Sequence, residues 1–95
     1  MFTHLVLFKL KVNTPESRQT IHDLLEALPA QIPQITHYEV GINSVPSERA
    51  YDMSLISRFE SQADLDIYAK HPAHVAALSV IVPLLEKSAV VDYPG

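Results

Sequence analysis

The sequence contains no cysteine and no tryptophan, and only two of its 95 residues are glycine. Without cysteine, the chain has no disulfide, no thiolate nucleophile and no cysteine-ligated metal centre. Because Gly41 and Gly95 stand far apart, no glycine-rich loop is available to hold a phosphate group. We therefore expect no nucleotide cofactor, and nothing in the sequence calls for a cofactor of another kind.

Basic residues are also few. Seven Lys and Arg residues face eleven Asp and Glu residues, so the net charge is −4 and no basic stripe matches a phosphate backbone. The N-terminal MFTHLVLFKLK has neither a basic leader nor a small-residue cleavage site, and no apolar run reaches membrane-spanning length. We expect a soluble, cytoplasmic protein with no nucleic acid and no membrane among its partners.

What the chain does have is apolar content, at 47% of a short sequence. One domain over residues 1–95 accommodates one hydrophobic core, but so small a domain has a high ratio of surface to volume. A second copy that covers part of the apolar surface would relieve this exposure, so composition alone favours a dimer.

The alternation of apolar and polar residues predicts six elements in the order strand, helix, strand, strand, helix, strand. Turn formers and prolines separate them. The predicted ranges are strand 2–11, helix 15–28, strand 35–43, strand 50–59, a helical region from Ser61 that breaks at Pro72 and continues to Leu85, and strand 88–93.

This order predicts an α+β fold of the ferredoxin-like βαββαβ type, in which one face of a four-stranded antiparallel sheet carries the helices. The first and third strands are then central. The first strand is apolar on both faces, as expected of a central strand. Because side chains alternate between the faces and the helices cover only one of them, we expect Leu5 and Leu7 to lie on the face without helices. An uncovered apolar sheet face predicts a homodimer that packs sheet against sheet.

Titratable and aromatic side chains gather in one segment, SQADLDIYAKHPAH, from Ser61 to His74. Pro72 excludes the preceding residue from helical geometry, so His71 marks a corner and Pro72 opens a new helix. Tyr68 and His74 flank this corner. Every hypothesis about function therefore centres on this tyrosine and these two histidines.

Two interpretations of His74 are open. As a general base, its imidazole would accept a proton at neutral pH while the Tyr68 hydroxyl bonds a carbonyl oxygen that becomes negative. As a structural residue, it would bond a backbone carbonyl or Tyr68 and close the corner. A metal held by His71, His74 and His4 is a third possibility, but no carboxylate or cysteine lies close in sequence to complete the site, and we predict none.

The segments MFTHLVLFKLK, IPQITHYEVGIN, YDMSLISRFES, LDIYAKHPAHV and VVDYPG together resemble the stress-responsive α/β-barrel domain family, known as Dabb. The resemblance covers essentially the whole chain, and HPAHV with its upstream tyrosine is the most specific part. It implies one domain of this family, a dimeric α/β barrel in which two ferredoxin-like sheets pair face to face.

The family includes stress proteins without a defined activity and a plant polyketide cyclase that closes a ring without a cofactor. The resemblance to that enzyme implies catalytic roles for Tyr68 and His74 and places His4 and His71 in the pocket wall. The match is incomplete, because Met53 stands where the cyclase pocket has a histidine, and Ile21, Leu25 and Leu85 replace aromatic residues. The same substrate is therefore not expected.

We accordingly expect a homodimeric stress-responsive barrel protein with an apolar pocket for a small organic ligand. The alternative is a cofactor-free cyclase or lyase acting on a small apolar or keto-type compound, with His74 as base and Tyr68 as hydrogen-bond donor. The predicted pocket residues are His4, Val6, Phe8, Met53, Leu55 and His71.

Overall fold

The chain folds into one antiparallel sheet with three helices, and the computed structural model describes all residues from Met1 to Gly95. The elements are β1 (Phe2–Leu10), α1 (Pro15–Glu26), β2 (His37–Ile42), β3 (Met53–Phe59), α2 (Gln62–Lys70), α3 (Pro72–Ile81), a 3-10 turn (Val82–Leu84) and β4 (Leu85–Pro94). The strand order is β2-β3-β1-β4. The predicted α+β ferredoxin-like fold, with the first and third strands central, is therefore confirmed.

Both helical connections begin with a side-chain cap. The Thr14 hydroxyl accepts a hydrogen bond from the Ser17 N–H at 3.2 Å, and the Ser61 hydroxyl accepts one from the Asp64 N–H at 3.3 Å. Each bond satisfies an N–H group that the first turn of a helix leaves without a backbone partner. The chain therefore enters α1 and α2 with defined geometry.

The end of the helical region differs from the prediction. The sequence pattern extends the helix to Leu85 and starts the last strand at 88, whereas α3 ends at Ile81 and β4 begins at Leu85. Pro83 has no N–H to donate and lies in the 3-10 turn, and Leu85 is already extended and paired with Leu10. The final strand is consequently longer and pairs with β1 along nearly its whole length.

The hydrophobic core lies between the sheet and the helices. Alternation along β1 and β3 directs one set of side chains toward the helices, where apolar residues of α1, α2 and α3 meet them. Its largest fully buried apolar members are Tyr68, Phe59, Ile21, Leu25, Leu28, Ile32 and Ile81. This layer fixes the height of α2 and α3 above β1, and therefore the space left beneath them.

The opposite surface of the sheet carries no helix. Leu5 and Leu7 are only half-buried there, and the cross-strand register places Ile56, Val91 and Ala89 beside them. Val91 is 56% exposed. We call these five residues the open sheet face. None of the helices on the other side combines the length and the apolarity needed to cross a lipid bilayer.

We expect the core between α3 and the sheet to be sensitive to loss of volume. Ile81 is fully buried, so Ile81→Ala should reduce the free energy of unfolding by about 3 kcal/mol through lost burial and the cavity left behind. Val75 lies on the same helix but is 54% exposed, so Val75→Ala should change it by less than about 0.5 kcal/mol. Urea denaturation at one fixed protein concentration compares the two, and equal losses would contradict the described packing.

Candidate active site at the proline corner

The break between α2 and α3 leaves backbone groups without helical partners, and the two histidines of the corner each bond one of them. The Ala73 N–H donates to Nδ1 of His71 at 3.0 Å. On the other side of the corner, Nδ1 of His74 lies 3.0 Å from the carbonyl oxygen of Ala69. Such groups at helix ends are costly to bury without partners. The corner is therefore closed by its own side chains.

These two hydrogen bonds fix opposite tautomers. A carbonyl oxygen only accepts, so Nδ1 of His74 carries a proton and, in the neutral ring, the lone pair is on Nε2. His71 accepts through Nδ1, so the proton of its neutral ring is on Nε2. Of the two corner histidines, only His74 therefore has its unprotonated ring nitrogen free of hydrogen bonds to the corner backbone.

Tyr68 lies directly beside His74. Their ring centroids are 4.3 Å apart, and Tyr68 is only 1% exposed. Its hydroxyl is 2.9 Å from the hydroxyl of Tyr38, which extends from β2. Burial raises the pKa of both phenols, and the neighbouring Tyr68 raises that of Tyr38 further. The two hydroxyls therefore keep their protons at neutral pH and share one hydrogen bond.

A third histidine reaches the same region from the sheet. His4 on β1 pairs in register with Asp92 on β4, and Nδ1 of His4 bonds the Asp92 carboxylate. The His4 ring is 6.1 Å from Tyr68, centroid to centroid. Because a carboxylate accepts, Nδ1 of His4 carries the proton and Nε2 of the neutral ring is unprotonated. Asp92 thus orients His4 as Ala69 orients His74.

The environment of His74 favours its neutral form. Burial is the largest cause and lowers the pKa of His74, while the hydrogen bond to Ala69 opposes the shift. His4 and His71 lower it further, because a second positive charge beside them would be unfavourable. At neutral pH the ring is therefore an unprotonated base.

A cavity of about 270 Å³ lies under these side chains, between the sheet, α1 and α3. Its lining is mainly aliphatic, and the polar groups come from His4, His74, Tyr68 and Ser88. Val82 and Val90 line it and are more than half exposed, so its mouth lies between the end of α3 and β4. The full lining is His4, Val6, Phe8, Leu25, Leu55, Tyr68, His74, Leu78, Val82, Leu85, Ser88 and Val90.

Most of the predicted site residues meet at this cavity, but two do not. His4, Val6, Phe8 and Leu55 line it together with Tyr68 and His74. Met53 is buried in the core further along β3, toward the end of the sheet that is remote from His4. His71 caps α3, and its Nδ1 is occupied by Ala73. Met53 and His71 therefore do not line this cavity.

Two residues that the sequence interpretation did not include contact the predicted ones. Asp92 could have been found, because antiparallel pairing of the first and last strands sets it opposite His4 and it is the only charged residue of VVDY. Tyr38 gives no such signal, because the spacing of residues in the sequence does not show that a side chain of an edge strand contacts the hydroxyl of Tyr68 on a helix. No group of three or more His, Asp and Glu side chains is arranged to hold a metal ion.

Comparison with known proteins identifies the family of the chain. The family model described as the stress responsive A/B barrel domain matches residues 2–94. This chain belongs to that family. A stress-response A/B barrel domain-containing protein of Arabidopsis thaliana is 33% identical over 93 residues, which cover 95% of this chain and 35% of that relative. The chain therefore spans about a third of the length of the plant protein.

Solved structures share the fold. A dimeric protein of unknown function with a ferredoxin-like fold from Bacteroides fragilis is 37% identical, with a TM-score of 0.88 over 99% of this chain and 95% of that chain. A hydroxynitrile lyase from Passiflora edulis is 22% identical, with a TM-score of 0.85 over 97% of this chain and 90% of that chain. At that identity the lyase shows a shared fold and no more.

The lowered pKa of His74 predicts a pH dependence of stability. In the unfolded chain His74 titrates near its ordinary value of 6.5, so below that pH the unfolded state binds more protons than the folded state. The contribution of neutral His74 is complete above pH 6.5 and is lost as the pH falls from there toward its folded-state pKa. Urea denaturation at a series of pH values should show this loss in the wild type.

The variant His74→Gln should lack this component, while His22→Gln, at a half-buried site on α1 outside the cavity, should keep it. Nuclear magnetic resonance titration of the wild type should also give His74 a pKa below 6.5. A His74 resonance that titrates at or above that value would contradict the assigned environment.

Proposed function

We propose that this protein is a cofactor-independent enzyme of the lyase or cyclase type, which binds a small apolar carbonyl compound and moves a proton with His74. One observation supports this assignment most strongly. The imidazole of His74 lines an apolar cavity while its Nδ1 is held by Ala69, so Nε2 is the nitrogen left for chemistry.

The size and lining of the cavity indicate the class of ligand. A cavity of roughly 150 Å³ already accommodates benzene, and this one measures about 270 Å³. Its walls are aliphatic except near the histidines, Tyr68 and Ser88. A compound with an apolar body and one polar end therefore fits, with the polar end at the imidazoles.

The chemistry would begin at an acidic C–H bond next to the carbonyl group of the ligand. Nε2 of His74 takes the proton, and the electron pair left behind moves toward the carbonyl carbon, placing negative charge on the carbonyl oxygen. A donor near that oxygen stabilises the charge. The protonated His74 can then return its proton to a leaving group or to the product, so no redox partner is needed.

Tyr68 is the proposed donor, and Tyr38 decides whether it can act. The two hydroxyls share one hydrogen bond at 2.9 Å. If Tyr38 donates in that bond, the proton of Tyr68 is free for a ligand oxygen. His4, oriented by Asp92, presents a second imidazole to the same ligand and is the proposed partner of His74 in proton transfer.

Binding without turnover is the second candidate, and a specific observation favours it. Tyr38 does not line the cavity, so the Tyr68 hydroxyl is bonded to a group outside it. If Tyr68 donates to Tyr38, the pocket has no phenolic donor and its imidazoles serve recognition alone. The protein would then be a stress-responsive binding module for a small organic ligand, acting in the cytoplasm.

We also propose that the protein works as a homodimer joined through the open sheet face. Leu5 and Leu7 are half-buried in a single copy, and Val91 beside them is 56% exposed. Burying such a central apolar patch against an identical patch is favourable and gives a closed, two-fold assembly. The dimeric relative from Bacteroides fragilis supports this expectation.

The proton-transfer proposal predicts a defined effect of one substitution. Small aldehydes and ketones that raise the melting temperature are incubated with the protein in D₂O, and exchange of the hydrogen next to the carbonyl is followed by nuclear magnetic resonance. We expect catalysed exchange in the wild type and a loss of about 10²- to 10⁴-fold in His74→Gln. The variant His22→Gln, on α1 and outside the cavity, should keep the wild-type rate.

Stabilisation by a ligand with no exchange, or exchange that survives His74→Gln, would reject the base assignment. The first of these outcomes would support the binding module. Tyr38→Phe further distinguishes the enzyme from the binding module, because this variant should lower the exchange rate only if Tyr38 orients the Tyr68 proton.

The dimer proposal predicts the effect of a charge on the open sheet face. Leu7→Lys places an ammonium group where the partner's apolar residues would pack, so the variant should be a monomer at micromolar concentration. Val75→Lys adds the same charge on the exposed side of α3 and should leave a dimer. Multi-angle light scattering distinguishes these masses, and a monomeric wild type would refute the interface.

A further inference from the structure

A second cavity lies at the far end of β1, away from the proline corner. It measures about 310 Å³ and is lined mostly by polar side chains. Lys9 lies five residues beyond His4 on β1, which corresponds to about 16 Å along a strand. The lining is Lys9, Asn13, Arg18, Ile42, Asn43, Pro46, Ser47, Ala50 and Asp52. No part of it belongs to the site described above.

Positive charge exceeds negative charge in this lining. Lys9 and Arg18 are its two cations, and Asp52 is its only carboxylate. The protein as a whole carries a net charge of −4, so this is a local departure from the overall sign. Arg49 adds a further cation to an adjoining cavity that shares Ile42 and Asn43 with this one.

Asp52 is already engaged by the protein. One of its carboxylate oxygens accepts the Leu10 N–H at 2.8 Å, at the point where the β1–β3 ladder ends. The other lies 3.9 Å from Nζ of Lys9, too far for a close ion pair. The carboxylate therefore acts mainly as a backbone acceptor and leaves Lys9 incompletely neutralised.

Several hydrogen-bond donors of the cavity remain available. Arg18 uses one guanidinium N–H, at 2.7 Å from the Asn13 side-chain oxygen, and keeps the others. Lys9 donates one long side-chain hydrogen bond, 3.3 Å to the Ala50 carbonyl. Asn13 and Ser47 also line the cavity, and neither the Asn13 amide nitrogen nor the Ser47 hydroxyl takes part in a side-chain hydrogen bond of the structure.

We propose that this cavity binds a small oxyanion, a phosphate or a carboxylate, between the Lys9 ammonium and the Arg18 guanidinium. Arginine matches the oxygens of either group through two parallel N–H bonds, and lysine supplies a compact charge. Recognition is by side chains alone, which agrees with a chain that has no glycine-rich phosphate loop. The anionic group of the ligand lies between these two side chains, and any small substituent occupies the rest of the cavity.

Titration with inorganic phosphate and, separately, with acetate tests the site at constant ionic strength, so that general screening does not change. Amide shifts of the full chain are followed by nuclear magnetic resonance. We expect saturable shifts at Lys9, Asn13, Asn43 and Ser47, with a dissociation constant on the order of millimolar for at least one anion. Saturation by phosphate alone or by acetate alone identifies which oxyanion the site prefers.

The variant Arg18→Gln should weaken that binding by about tenfold or more, because the fork of donors is lost. Lys70→Gln removes the same charge at the end of α2, outside the cavity, and should leave binding unchanged. Lys9→Gln is the second variant if Arg18→Gln does not fold. Shifts that never saturate, or an equal weakening by Lys70→Gln, would overturn the site and reduce the effect to general charge attraction.

Discussion

The constraint on which the candidate site depends is the interruption of helical hydrogen bonding at Pro72. Without that residue α2 and α3 could continue as one helix, and the Ala69 carbonyl would accept a backbone N–H. With it, the carbonyl accepts the His74 ring instead, and His71 accepts the Ala73 N–H. One covalent restriction in the backbone thus selects the tautomers of two side chains.

With this arrangement, a structural role and a catalytic role for His74 are compatible. The bond to Ala69 stabilises the corner and at the same time assigns the proton to Nδ1. Asp92 does the same for His4 from the opposite wall. Residues that orient a histidine through its other nitrogen are a recurrent means of preparing a base. The cavity beneath the corner is consequently lined by two imidazoles with defined orientation.

Much of the fold could be predicted because its signals are local. Thr14 and Ser61 start helices through their own side chains, and the two-sided apolarity of β1 indicates a central strand. The site was less accessible. Tyr38 meets Tyr68 only through the packing of an edge strand under a helix, which no spacing encodes. Met53 and His71 do not line the cavity that the other predicted residues share, because a resemblance transfers positions in a sequence and does not transfer the direction of a side chain.

The tautomers of His4 and His74 test the central claim most directly. Nitrogen-15 spectra of the imidazoles distinguish Nδ1–H from Nε2–H rings at a pH where both are neutral. We predict that His4 and His74 carry the proton on Nδ1, whereas His71 carries it on Nε2. If His74 were found with its proton on Nε2, its lone pair would face the Ala69 carbonyl, and a base in the cavity would be contradicted.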